Sequence, residues 1–170
     1  MKCRHCATKL SIPFVDLASA PLSNAYLTQE TLYTAEKWYP LTVSICPSCW
    51  LAQTHDYTDR EEVFSDEYAY FSSYSDSWIA HSKQYVREMI DRFHLCKESM
   101  VGEIASNDGY LLQFFKECKI PCYGVEPTKS TATVALKKNL NIFMRFFGVE
   151  FAKELARQHY TADLLIANNV

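Results

Sequence analysis

The feature that most constrains this chain is a set of two Cys-x-x-Cys pairs, one at the N-terminus and one after residue 45. The pairs are Cys3-Arg-His-Cys6 and Cys46-Pro-Ser-Cys49. Two residues between cysteines let a tight turn aim both sulfurs at one point, and two such turns supply a tetrahedral zinc site. Because four thiolates fill the coordination shell, we expect a structural zinc rather than a catalytic one. His5, inside the first pair, is then expected to face solvent.

The remaining cysteines do not extend this pattern. The chain has 7 cysteines, and an odd count argues against a disulfide framework. Neither Cys-x-x-Cys pair opens a helix after a buried strand, which disfavours a redox site. We expect the other three to be ordinary semi-buried thiols, namely Cys96, Cys118 and Cys122.

Composition and charge narrow the class of protein. The 170 residues are 48% hydrophobic and 14% aromatic, enough for a packed core, and the net charge of −3 argues against a nucleic-acid partner. The first residues, MKCRHC, lack the apolar stretch of a signal peptide. No run of about 18 apolar residues predicts a membrane span. We therefore expect a cytoplasmic protein with reduced thiols and no membrane partner.

The first 98 residues divide into a zinc-binding domain, 1–60, and a connector with a long helix, 61–98. Within the first, the alternation of Leu41, Val43 and Ile45 predicts a strand that puts these residues on its apolar face. Within the second, 3-and-4 spacing predicts an amphipathic helix over 76–93, capped by Ser75 or Asp76. Its apolar face comprises Ile79, Val86, Met89, Ile90 and Phe93.

From residue 99 onward, apolar runs alternate with helical patterns. The predicted strands are 100–105, 121–126, 141–147 and 162–167, and the predicted helices are 109–118, 128–139 and 149–159. Such alternation predicts an α/β fold with a parallel sheet, right-handed crossovers and the strand order 3-2-1-4. The last strand is apolar on both faces, as a central strand must be. We interpret 99–170 as the first half of a truncated Rossmann-like domain, so that the chain is a fragment.

The turn after the first of these strands has the pattern of a nucleotide-type loop. In class I methyltransferases, which use S-adenosylmethionine, an acidic residue is followed by three glycines at every second position. Here the acid is Glu103, and the glycine slots hold Ala105, Asn107 and Gly109. Asparagine tolerates a left-handed backbone better than most residues. Gly109 is expected to open a helix whose N–H groups point at the ligand.

A second acid follows the second strand. Glu126 is placed to accept hydrogen bonds from two ribose hydroxyls, which would suit S-adenosylmethionine or NAD. Asp108 decides between them, because an extra acid beside a pyrophosphate is unfavourable, whereas it suits a cationic sulfonium cofactor. The alternative interpretation of Glu126 is a solvated acid at a strand end.

Taken in order, these motifs resemble the zinc-containing sugar C-methyltransferases, which methylate C-3 of nucleotide-linked 4-keto-deoxysugars. Further motifs that carry the resemblance are Pro21-Leu-Ser-Asn24, Tyr68-x-Tyr70-x-Ser72-Ser73, Gly124-Val-Glu-Pro127 and Ala167-Asn-Asn-Val170. The resemblance implies class I methyl transfer to carbon, a small-molecule nucleotide-sugar substrate and a C-terminal sugar-binding domain. It implies that the cofactor-binding residues are Glu103, Ala105, Ser106, Asn107, Gly109, Glu126 and Asn168.

The implied chemistry begins with a C-4 ketone that acidifies the C-3 proton, which a base removes to give an enolate. The candidates for lining the acceptor side are Tyr70, Tyr74 and His81, with the rest of the acid/base machinery beyond Val170. The alternative is that both tyrosines pack the domains together and His81 sits on a helix flank. We expect the 170 residues alone to be catalytically inactive.

Two further hypotheses stay open at this level. One is a zinc-ribbon binding module without catalysis, and the other is a methyltransferase with a different acceptor, since a fold does not determine a substrate.

Overall fold

Two kinds of sheet organise the chain, and each lies in its own unit. A computed structural model describes residues 1–66, 68–168 and 170. The first unit spans Met1–Val63 and the second spans Phe64–Val170. No helix in the described part of the chain is long and apolar enough to cross a membrane.

The first unit carries a three-stranded antiparallel sheet in the order β1-β2-β3. The strands are Ile12–Ala20, Tyr39–Ile45 and Ala52–Thr54, and a short helix α1 follows at Arg60–Val63. Strand β2 is the one that the sequence predicts, but its apolar alternation does not mark the most buried face. Ser44 is buried while Leu41 is exposed, because the Ser44 hydroxyl pairs with His55 Nε2 at 2.8 Å.

The second unit carries a four-stranded parallel sheet in the order β6-β5-β4-β7, which confirms the predicted 3-2-1-4 order and the α/β, Rossmann-like fold. Its strands are β4 Val101–Ile104, β5 Cys122–Val125, β6 Ile142–Phe143 and β7 Leu164–Ala167. Its helices are α2 Asp76–Phe93, α3 Leu112–Glu117, α4 Lys129–Lys137 and α5 Val149–Arg157, and Ser72–Tyr74 forms a single 3₁₀ turn.

Two predicted elements differ from the structure. The third strand is only two residues long, Ile142–Phe143. Helix α3 begins at Leu112 rather than at Gly109, and residues 107–111 form turns. Strand β7 lies at the end of the described sheet, as the predicted order requires, and its Leu165 is 49% exposed.

Helix α2 begins where the sequence predicts. The Ser75 hydroxyl accepts a hydrogen bond from the backbone N–H of Trp78 at 3.3 Å, so Ser75 is the N-cap. The helix ends at His94 in a left-handed conformation. Phe93 does not join the core as predicted: it is 50% exposed, and Leu95 is buried just beyond the helix end.

Apolar clusters cover the two faces of the parallel sheet. One contains Val86 of α2 and Phe115 of α3, and the other contains Phe151 and Leu155 of α5. Of the three thiols predicted to be semi-buried, Cys96 and Cys118 are exposed and Cys122 is half-buried.

Candidate metal centre and cofactor site

The four cysteines of the two pairs converge on one point in the first unit. Their Sγ atoms all lie within 4.8 Å of one another, with Cys3 to Cys49 at 3.6 Å and Cys6 to Cys46 at 3.5 Å. A tetrahedral zinc with Zn–S bonds of about 2.3 Å places its sulfurs about 3.8 Å apart, so the geometry and the donor set both fit zinc. His5 is exposed and does not join the cluster.

The two Cys-x-x-Cys turns have the same backbone construction. In the first, the N–H of Ala7 donates to the carbonyl of Cys3 at 3.0 Å, and in the second the N–H of Trp50 donates to the carbonyl of Cys46 at 3.0 Å. Ala7 and Trp50 each follow the second cysteine of a pair, and both are left-handed, with φ of 59° and 62°. Neither alanine nor tryptophan favours a left-handed backbone, so these two conformations could not be predicted from residue type.

A buried amide joins the two turns. Gln53 is 6% exposed; its Nε2 donates to the sulfur of Cys3 at 3.3 Å, and its Oε1 accepts from the backbone N–H of Arg4 at 3.0 Å. Partners of this kind orient the ligands of a metal site.

The thiols differ in acidity. Hydrogen bonds from the Cys6 backbone and from Gln53 lower the pKa of Cys3 to about 6. A backbone hydrogen bond at Leu51 lowers the pKa of Cys49, but burial and the neighbouring sulfurs outweigh it and raise that pKa to about 12. Four thiolates therefore do not coexist here without a cation, and a divalent metal removes their repulsion.

In the second unit, the loop after β4 keeps the backbone of a glycine-rich turn with a glycine at only one of its three glycine positions. Ala105, Asn107 and Gly109 are all left-handed, with φ of 54°, 50° and 75°. The prediction that Asn107 adopts this conformation is confirmed. All three glycine positions of the motif therefore have the left-handed backbone that glycine adopts without steric cost.

Glu126 stands at the end of β5 and is 4% exposed, so it is not a solvated acid. Its Oε2 accepts the backbone N–H of Asn107 at 2.8 Å. Its Oε1 accepts the N–H of Thr128 at 2.9 Å and the Thr128 hydroxyl at 2.5 Å. Oε1 thus already accepts two hydrogen bonds and Oε2 accepts one, so Oε2 retains capacity for a ligand hydroxyl.

Glu103 is the second buried acid of the site. It is fully buried, and burial raises its pKa well above the ordinary value; the Tyr110 hydroxyl offsets part of this effect, and the nearby Glu126 and Asp108 add to it. The pKa of Glu103 therefore lies above that of an exposed glutamate, with burial as the main cause.

Polar atoms without partners cluster around this loop. Among the described residues, no donor meets hydrogen-bond geometry at either oxygen of Glu103, at Ser106 Oγ or at Asp108 Oδ1. The other oxygen of Asp108 accepts from Ser73, so this carboxylate faces the connector as well as the loop. Buried polar groups are nearly always paired, and the orphaned acceptors here fit a polar, donor-bearing ligand.

A cavity of about 220 Å³ opens beside the ends of β4 and β7. Its walls are Trp78, His81, Ser82, Tyr85, Leu111, Ala167 and Asn168. The rings of Trp78 and His81 stack at a centroid distance of 5.2 Å. The structure thus brings together two of the predicted site residues, His81 and Asn168.

The two predicted tyrosines do not line this cavity in the described part of the chain. Tyr70 is 52% exposed, and Tyr74 is 81% exposed and stacks on Phe71 at 5.2 Å. The sequence analysis missed Trp78, although its spacing to His81 and to Tyr85 puts all three on one helical face.

The comparisons with known proteins agree with this geometry. Residues 3–64 match a family model described as "Putative zinc binding domain". Over 164 residues the chain is 29% identical to the C-methyltransferase NovU of Streptomyces niveus, an alignment that covers 96% of this chain and 39% of NovU. The chain is therefore similar to a C-methyltransferase over nearly its whole length. It spans about two fifths of the length of that relative.

Two solved structures resemble parts of the chain. The MccD protein is 16% identical, with 51% of this chain and 30% of that chain covered and a TM-score of 0.27. YJHP from E. coli is 13% identical, with 61% and 34% covered and a TM-score of 0.30.

Proposed function

We propose that the protein is a methyltransferase that uses S-adenosylmethionine and methylates a carbon of a nucleotide-linked 4-keto-deoxysugar. The observation that supports this proposal most directly is the backbone conformation of the loop after β4. Three alternate residues there have left-handed backbones, and the middle one, Asn107, donates its N–H to Glu126 at the end of the neighbouring strand. This is the arrangement that a class I cofactor site needs at the carboxyl ends of parallel strands.

The residues present fit the cofactor. S-adenosylmethionine carries a sulfonium, an amine and two ribose hydroxyls, and bound here it would supply an electrophilic methyl group. Glu126 would hold a ribose hydroxyl through the remaining acceptor site on Oε2. The unpartnered oxygens of Glu103 and Asp108 would accept from the amine.

The acceptor is assigned to the cavity beside this loop. Its volume of about 220 Å³ and its mixture of aromatic faces with the imidazole of His81 and the amide of Asn168 suit a sugar ring. His81 is placed to hold or move a proton at the acceptor. Tyr70 and Tyr74 remain candidates for the outer wall, because both rings are exposed.

Zinc takes no part in the chemistry of this proposal. Its four protein ligands leave no open position for water or substrate, so it stabilises the first unit.

The test is calorimetric titration of the zinc-loaded, full-length protein with S-adenosylmethionine and S-adenosylhomocysteine, with NAD as the competing ligand. We expect both adenosyl ligands to bind. Glu126→Gln should weaken them by roughly 1.5–3 kcal/mol, the range for hydrogen bonds to a charged group. The matched control, Glu98→Gln, changes an exposed acid on another loop and should leave binding unchanged.

Methyl transfer to a nucleotide 4-keto-deoxysugar then tests the acceptor. Binding of NAD without either adenosyl ligand would overturn the methyltransferase. Adenosyl binding without turnover on any acceptor would favour the zinc-ribbon binding module, and turnover only on oxygen or nitrogen acceptors would favour the other substrate class.

A further inference from the structure

One segment of the second unit, Tyr68–Tyr74, is fastened to the loop after β4; we call it the aromatic strap. The Oδ1 of Asn107 accepts the buried backbone N–H of Ser72 at 2.9 Å, and its Nδ2 donates to the carbonyl of Tyr70 at 3.0 Å. Next along the loop, the carboxylate of Asp108 accepts from the N–H and the hydroxyl of Ser73. Two consecutive loop side chains thus bind the backbone of three strap residues, Tyr70, Ser72 and Ser73.

The same residue also reaches the cofactor acid. The backbone N–H of Asn107 donates to Oε2 of Glu126 at 2.8 Å, so Asn107 joins Glu126 on one side to the strap on the other. Its main chain therefore binds Glu126, whereas its side chain binds the strap. Loss of the side chain would leave the bond to Glu126 in place.

The backbone alone does not explain an asparagine at this position. With φ of 50°, Asn107 occupies a conformation in which glycine has no steric penalty. Only the side chain makes the two hydrogen bonds to the strap; the bond to Ser72 is buried and the bond to Tyr70 is partly buried. The asparagine side chain at this glycine position therefore holds the strap against the loop.

The strap holds Tyr70 next to the loop after β4. Its ring is 52% exposed, and it is close enough to Tyr110 to contribute to the raised pKa of that buried phenol. Tyr110 lies directly after the loop, beside Glu103. An exposed aromatic ring held at the edge of the site is suited to cover a bound acceptor.

We propose that Asn107 is a positioning residue, which clamps the aromatic strap so that Tyr70 is held at the outer edge of the acceptor site while Glu126 holds the cofactor. This inference rests on the proposed function for the identity of the ligands. The clamp itself is independent of that function, because it joins residues of the free protein.

The test compares Asn107→Gly with a matched control, Asn139→Gly, in the full-length protein. Asn139 is also left-handed, with φ of 57°, and it is exposed, with its carbonyl rather than its side chain bonded to Lys116. Both variants lose an asparagine side chain at a position that glycine accepts. Hydrogen exchange resolved to single amides reports on the clamp, and titration with S-adenosylhomocysteine together with the KM and kcat for the acceptor reports on the site.

In Asn107→Gly we expect the amides of Ser72 and Ser73 to exchange about tenfold faster or more, because their acceptor or its neighbour is gone. S-adenosylhomocysteine should bind within about threefold of the parent affinity, since the backbone bond to Glu126 stays. Acceptor turnover should fall by about tenfold or more, with a raised KM, because Tyr70 is no longer held. Asn139→Gly should resemble the parent protein in all three measurements.

Three results would overturn the proposal: unchanged exchange at Ser72 and Ser73, faster exchange without loss of turnover, or a loss of cofactor binding as large as the loss of turnover. A second variant, Ser73→Ala, removes the hydroxyl that donates to Asp108 and leaves the loop itself unchanged. It should speed amide exchange at Ser73. This variant decides the test if Asn107→Gly does not fold. Absence of adenosyl binding in the parent protein itself would instead refute the proposed function, and the exchange rates would still decide whether the clamp exists.

Discussion

Ser106 lies so close to Gly124 that there is no room for a side chain at position 124. A Cβ atom added at Gly124 would stand 2.8 Å from the Cβ of Ser106 and 2.7 Å from Cδ1 of Ile142, and would collide with the Ser106 hydroxyl. The loop after β4 is therefore packed directly on the backbone of β5. Gly124 is needed for close approach, whereas the left-handed backbone is found in the loop itself.

The first prediction follows from this contact. Gly124→Ala should destabilise the second unit by about 1–3 kcal/mol, the usual cost of overpacking, and weaken cofactor binding because the loop must shift. Gly148→Ala is the matched control, since nothing lies within 4 Å of a Cβ there. Urea denaturation measures both. Adding Ser106→Gly to Gly124→Ala should recover part of the loss, and a fully additive double variant would contradict the contact.

The second prediction concerns the metal. The purified, reduced protein should hold one zinc per chain, measured by elemental analysis. A tetrathiolate zinc contributes on the order of 10 kcal/mol to folding, so Cys46→Ser should unfold the first unit, measured as protease sensitivity within Met1–Val63. Cys96→Ser, at an exposed thiol outside the cluster, should keep both zinc and protection. A zinc content far below one per chain in the parent protein would contradict the site.

The third prediction concerns Glu103, whose pKa burial raises well above its ordinary value near 4.5. In the window between the unfolded and folded pKa values, the folded state holds a proton that the unfolded state has released. Stability of the second unit is therefore full below the unfolded pKa and falls as pH rises toward the folded one, by up to roughly 1.4 kcal/mol per pH unit.

Glu103→Gln removes this proton linkage while it keeps the shape of the side chain. We expect the variant to gain stability over the parent as the pH is raised from 6, measured by amide exchange in β4 at several urea concentrations. Glu117→Gln, on the exposed end of α3, is the control for the loss of one acid. A stability difference between variant and parent that does not change with pH would contradict a raised pKa at Glu103.

The sequence predicted the parts of this molecule that depend on periodicity and spacing. The four cysteines were found because a tetrahedral metal site requires paired ligands, and the strand order followed from the alternation of strands with helices. The N-cap of α2 was predicted because Ser75 precedes an amphipathic run.

What the sequence did not predict depends on contacts between distant segments. Nothing local in Asn107 or Asp108 says that their side chains bind the backbone of residues more than thirty positions earlier. The burial of Glu126 was also missed, because its partners include Asn107 from a different loop. Phe93 was assigned to the core by spacing alone, and the end of the helix leaves it exposed.

The last prediction returns to the first glycine slot of the loop. Ala105 has φ of 54°, a conformation that costs an L-residue with a Cβ roughly 1–2 kcal/mol and costs glycine nothing. Glycine loses more entropy on folding, by roughly 0.5–1 kcal/mol. Ala105→Gly should therefore stabilise the second unit by up to about 1 kcal/mol, measured by urea denaturation. Ala80→Gly, the same change at an exposed position within α2, should destabilise it by about 1 kcal/mol. Since the two substitutions are chemically identical, a loss of stability at Ala105 as large as that at Ala80 would mean that its backbone is not left-handed, and the glycine-type path of the loop would fail at its first position.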